Sequence, residues 1–105
     1  EAAALSEDGE LDAQLAHLYY NSDKFDKAIA ASSNAIEKGG LSNQGSVHML
    51  LGLAHYNQKN FALALDELAK AEAFKSSRAA AQQWRQFVGR EKSETEQLQL
   101  ELNSI

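Results

Sequence analysis

The sequence predicts an all-α fold, an αα-hairpin solenoid of two repeats closed by a long C-terminal capping helix, about five helices in a single domain over residues 1–105. Three observations predict it. The first is an internal repeat: LAHLYYNSDKFDKAIAAS, from Leu15, returns as LLGLAHYNQKNFALALDEL, from Leu50. A shift of 36 residues lays Leu15 on Leu51, Ala16 on Gly52, Tyr20 on Tyr56, Phe25 on Phe61, Ala28 on Ala64 and Ala35 on Ala71. The same shift reaches Trp84, Phe87 and Val88, so a third unit begins in register. The second is the lack of proline and the presence of only six glycines, which leaves long helices with few forced breaks. The third is an apolar fraction of 44% with only 8% aromatics, much of it alanine. Alanine buries little area, so the core must come from helices that approach closely rather than from bulky side chains.

Each unit reads as two helices. The first spans about 9–22 in unit one and 44–58 in unit two, with Leu11, Leu15, Leu18, Tyr19 and then Val47, Leu50, Leu51, Ala54 at helical spacing. A tight break follows at 23–25 and 59–61, where Asp23 and Asn60 are expected to cap the next helix. That second helix spans about 25–38 and 61–74, its inward stripe being Ala28, Ile29, Ser32, Ala35, Ile36 and then Ala64, Leu65, Leu68, Ala71. GGLSNQ at 39–44 joins the units, with Gly39 or Gly40 as the helix stop. The repeats thus cover 9–40 and 44–76. Ser76 and Ser77 are expected to cap a last helix over 78–102, on which Trp84, Phe87 and Val88 cover the second hairpin while the rest is polar. Ala16 and Gly52 sit mid-helix, where glycine costs about 1 kcal/mol against alanine. A helix keeps such a residue when another backbone comes close, and Ala28 and Ala64 are the counterparts.

Leu15, Ala16, Tyr19, Phe25, Ala28, Ala35, and Leu51, Gly52, His55, Phe61, Ala64, Ala71, resemble the tetratricopeptide repeat (TPR) signature W-x2-L-G-x2-Y…A-x3-F…P. The likeness covers residues 9–76. It departs in three places: no proline follows the second helix, the spacing is longer by the GGLSNQ connector, and His55 stands where tyrosine is usual. More narrowly, KGGLSNQGSVHMLLGLAHYNQ and SSRAAAQQWRQFVGREK are similar to C-terminal repeats of bacterial cell-envelope TPR proteins, some of which accompany TonB–ExbB–ExbD systems. That likeness implies a periplasmic setting.

Composition excludes several functions. A net charge of −5 argues against nucleic acid, which needs clustered Lys and Arg. Acids gather at the start, where Glu1, Glu7, Asp8, Glu10 and Asp12 precede Lys24. They suit a helix N-terminus, or steer a basic partner. No apolar run is long enough to span a bilayer. With no Cys there is no disulfide, thiolate site or cysteine nucleophile. The absence of an initiator Met and of a secretory segment reads as a chain trimmed from something longer. His48 and His55 lie seven apart, unlike the i, i+4 pair of a helical zinc site, so no metal and no cofactor are expected. His55 reads as a hydrogen-bonded core histidine. No nucleophile elbow or phosphate loop is present, and an enzyme is not expected.

The TPR likeness implies that the first helix of each unit lines a groove for a protein or peptide partner. Its side chains would be Gln14, His17, Tyr20 and Asn21, then Met49, Leu50, Leu53, Tyr56 and Asn57, then Gln82, Arg85 and Gln86. Tyr20–Asn21 and Tyr56–Asn57 each set a flat ring beside an amide able to pair with a peptide backbone, although both pairs could equally pack and cap their own helices. The Lys, Asn and Arg clamp by which some TPR proteins hold chaperone C-termini is missing, its places being Ala13, His17, Leu50, Gln82 and Gln86. The middle of the groove is apolar, which fits an apolar or helical segment. The alternative is a structural terminal segment, packed on upstream repeats, with EAAALSEDG as the tail of a preceding helix, or self-associated as a homodimer.

Overall fold

The structure, a computed structural model, describes residues 8–105. Glu1, Glu7 and most of EAAALSEDG lie outside them. Five helices follow one another and the described residues contain no strand: α1 (Glu10–Asn21), α2 (Phe25–Lys38), α3 (Gln44–Asn57), α4 (Phe61–Ala71) and α5 (Arg78–Asn103). Contacts run between chain neighbours, α1 on α2, α2 on α3, α3 on α4 and α4 on α5, with lighter contacts of α1 on α3 and α3 on α5. Among the described residues α2 does not touch α4, nor α1 α5. Each hairpin therefore meets only its neighbour.

The repeat governs how the helices end. In α1 the N–H of Lys24 donates to Tyr19 O and that of Asp23 to Tyr20 O, at 2.8 and 3.0 Å. In α3 Asn60 donates to His55 O and Lys59 to Tyr56 O, both at 2.9 Å. This is a Schellman ending, which asks for a left-handed residue, and Asp23 (φ 58°) and Lys59 (φ 67°) supply it. The expected caps are corrected accordingly. Asp23 lies outside α2, whose cap position is Lys24, and Asn60 occupies the cap of α4 without a side-chain bond. The cap that forms is Asn43, whose side chain accepts from Ser46 N at 3.2 Å. After α2 the chain stops on Gly39 and Gly40, at φ 73° and 68°.

Helix α4 ends at Ala71, three residues short of the expected 74. The turn over 72–77 satisfies its last carbonyls instead: Ser77 Oγ donates to Ala71 O at 2.7 Å, and Arg78 Nε to Glu72 O at 2.9 Å. Neither Ser76 nor Ser77 caps α5 through its side chain.

Two apolar clusters fill the stack. Ala16, Ala28, Ala31, Leu50 and Ala54 form one, between α1, α2 and α3. Ala64, Leu68 and Val88 form the other, with Met49, Tyr56, Phe61, Leu65 and Trp84 against it. A Cβ on Gly52 would lie 3.2 Å from Ala64 O and 3.1 Å from Leu68 Cγ, so the absent side chain is what lets α3 and α4 close. Leu11 and Leu18 are 38% and 63% exposed because no described helix covers that face of α1.

The third unit keeps the 36-residue register at its buried positions. Gly9 and Gly45 are followed by Ala81, and Ala16 and Gly52 by Val88, and all six are buried. On α3 the positions Val47, Leu50, Leu51 and Ala54 are buried too, whereas their counterparts Gln83, Gln86, Phe87 and Arg90 are exposed. Val88 and Trp84 pack with Ala64 and Leu68 of α4. Arg85, held by Glu72, and Lys92, beside Phe61 and Leu63, flank that contact. No helix follows α5 among the described residues, so it has no hairpin partner of its own there.

Candidate protein-binding face

Two depressions involve the first helices and α5, one between α1 and α3 and one on α5. Between α1 and α3 runs a cleft of about 150 Å³, lined by Glu10, Ala13, Gln14, His17, Ser42, Asn43, Ser46 and Val47. Glu10 fixes one end of it, its carboxylate accepting from Ser42 N at 2.8 Å and Ser42 Oγ at 3.1 Å. One repeat further on, Gln83, Trp84 and Phe87 line a hollow of about 330 Å³. Phe87 is 41% exposed there, and its ring meets Tyr56 and Trp84 at 5.8 and 5.6 Å between centroids.

The residues expected to line the groove meet different fates. His17 is exposed in the cleft beside Gln14, and Asn21 is exposed at the end of α1. Leu53 is half-buried on α3. Leu50 is only 6% exposed and belongs to the first core cluster, so it offers a ligand almost no surface. Met49 packs partly on the second cluster. Arg85 is bound at both ends of its fork by Glu72, with Nε 2.6 Å from Oε2 and Nη2 3.2 Å from Oε1. Gln82 and Gln86 are exposed on α5.

The paired tyrosines hold the first helices together. Asn57 Nδ2 donates to Tyr20 Oη at 3.2 Å and to Leu53 O at 2.8 Å, which links α1 to α3. Tyr56 is ringed by Phe61, Trp84 and Phe87, and its hydroxyl bonds Glu91 on α5. That hydrogen bond, with burial and the Glu91 charge behind it, pushes the Tyr56 hydroxyl up to about 12. Tyr20, Tyr56 and Asn57 are thus built into the stack while Asn21 stays exposed, and Trp84 and Phe87, read in the sequence only as core cover, line the hollow. The aromatic spacing that marked them as core was correct for one edge of each ring. Nothing in a linear pattern shows that α5 lacks a covering helix on the other edge.

His48 Nδ1 lies 2.8 Å from Glu67 Oε2, and Nε2 lies 3.3 Å from Gln44 Nε2. His55, expected to be hydrogen-bonded, has a buried Nδ1 with no partner among the described residues. Burial lowers its pKa from the usual 6.5, against a smaller upward pull from Glu67. No three His, Cys, Asp or Glu side chains among the described residues stand where they could share a metal ion, and no helix there is long and apolar enough to cross a membrane. The described acids of this stretch are engaged in structure: Asp8 accepts from Glu10 N at 3.1 Å, and Asp12 pairs with Lys38 at 2.9 Å. Compared with known protein families, curated proteins and solved structures, the chain gives no match.

Proposed function

We propose that this chain is a TPR-like interaction module, which holds a helix or an apolar peptide of a protein partner along α1, α3 and α5 and performs no chemistry itself. The observation that carries the reading is the exposed Phe87 beside Trp84, a large apolar surface set in a hollow on α5. Aromatics that become buried on association anchor interfaces, with a polar rim around them. Here the rim is Gln83 on one side and Gln14, His17 and Asn21 further along. The cell-envelope setting belongs to the same proposal and rests on the KGGLSNQ and QQWRQF stretches alone.

The test uses Leu53→Asp and Phe87→Ser, because neither residue is fully buried. Tyr56→Ala is a poor choice, since it would remove the ring on which α5 packs. Affinity capture with the wild-type chain should retain a partner that both variants lose, with circular dichroism unchanged. Equal retention of that partner by all three proteins would sink the reading.

A further inference from the structure

Helix α5 outruns the stack it closes. Lys92, Thr95 and Glu96 still flank Phe61 and Leu63 of α4, but every residue from Ser93 onward is exposed, Leu98 at 57%. Leu98 follows Phe87 by eleven residues, three helical turns, so the two lie on one face, and Ile105 continues the row past the helix end. Arg90 and Glu94, one turn apart, sit between Phe87 and Leu98 on that side. Both are exposed, and neither side chain makes an ion pair or a hydrogen bond among the described residues. The neighbouring Glu91 is turned to Tyr56 instead.

The row is symmetric in position and unlike in chemistry. Leu98 lies as far past a point between Lys92 and Ser93 as Phe87 lies before it, and Ile105 stands to Ala80 in the same way. Glu94 and Arg90 straddle Lys92, next to that point. Beyond it, residues 93–105 hold the acids Glu94, Glu96 and Glu101 and no base.

We propose that the helix received at the α5 end of the binding face is α5 of a second copy of this chain, laid antiparallel about a two-fold axis near Lys92 and Ser93. The inference rests on the reading of Phe87 as an interface anchor and supplies the occupant of its hollow. In this pairing Leu98 of each copy covers the open edge of Phe87 in the other, Ile105 lies over the small Ala80, and Arg90 meets Glu94 twice. Burial of the leucine and phenylalanine surface drives the association. A parallel pair would set Arg90 on Arg90 and Glu94 on Glu94, like charge against like. Unlike partners spaced evenly about one point are what a two-fold pair of identical helices requires, and no other occupant calls for that spacing.

Sedimentation equilibrium of the 105-residue chain tests the proposal, with circular dichroism to verify that each variant keeps its helices. The parent should pass from monomer to dimer as its concentration rises. Leu98→Asp, at an exposed position, should raise the dimer dissociation constant about tenfold or more. Glu94→Arg should raise it about fivefold by creating two facing pairs of like charge, and Arg90→Glu added to it should restore the parent behaviour. A chain that stays monomeric at millimolar concentration overturns the proposal, while the reading of Phe87 still stands or falls on the capture of a foreign partner by the parent and by Phe87→Ser. A dimer indifferent to Leu98→Asp, or a double charge reversal no tighter than the single one, overturns it equally.

Discussion

Where the first unit sets Asp12 against Lys38 at 2.9 Å, the second sets His48 against Phe74, their rings 6.0 Å apart and 18° from parallel. The positions are the same, 36 residues apart, and the chemistry is wholly different. Deeper in, Ala16 and Ser32 of unit one become Gly52 and Leu68 of unit two. Removing a methyl from one helix made room for a leucine on the other, as the 3.1 Å approach of a Gly52 Cβ to Leu68 shows. What the repeat preserves is therefore the path of the backbone. The identity of each contact is free to change, provided size and polarity change together.

The sharpest way to break this comparison is to make the same kind of truncation at one place in each unit. Leu68→Ala removes a fully buried side chain and should destabilise the chain by about 2–5 kcal/mol. Ser32→Ala, at the matching position, removes a hydroxyl that is fully buried with no hydrogen-bond partner among the described residues. It should stabilise by about 1 kcal/mol, because the cost of leaving that group unpaired disappears. Urea unfolding of both variants gives the answer, and a loss of stability at Ser32 would mean that its hydroxyl is satisfied after all.

Much of this fold was legible because the helix period and the repeat agree. The boundaries of α1, α2 and α3 fall within about two residues of the pattern, and Gly52 sits against Ala64 as its size required. What misled was local chemistry with more than one use. Asp23 is a good cap by composition but serves as a left-handed turn residue, and Ser77 turns its hydroxyl back to α4. Gly9 and Gly45 form one more pair 36 apart, each pressed against the end of the following helix, at Ala35 and at Phe74 with Ser77. That match was present in the sequence and went unread, because glycine at a helix start looks like punctuation. The binding face was least legible, since exposure depends on which neighbour is missing.

The turns allow a gentler comparison. Asp23 and Lys59 take the same left-handed conformation, but a short polar side chain tolerates it better than a long one. Lys59→Gly should stabilise the chain by about 1 kcal/mol or a little less, and Asp23→Gly by only a few tenths. Thermal unfolding of the two variants ranks them. Equal gains would show that the Schellman ending, and not the residue in it, sets the strain.

The smallest effect is a pH dependence peculiar to the second unit, where His55 replaces Tyr19. Folding holds the His55 imidazole below its usual value of 6.5, chiefly by burial. The unfolded chain has no such restraint and binds a proton first as the pH falls. Stability from this position is therefore complete above about 6.5 and is lost progressively below it, until the folded form is protonated as well. His55→Tyr, which writes the residue of unit one into unit two, should leave stability near pH 7.5 little changed, at about the level of the parent, and flatten its decline toward about pH 5.5. The measurement is the difference between parent and variant urea midpoints across that range, because His17, His48 and the carboxylates are common to both proteins and drop out. A difference that stays constant with pH would mean that His55 titrates alike in the folded and unfolded chain, and that its buried Nδ1 finds in water the partner the helices do not provide.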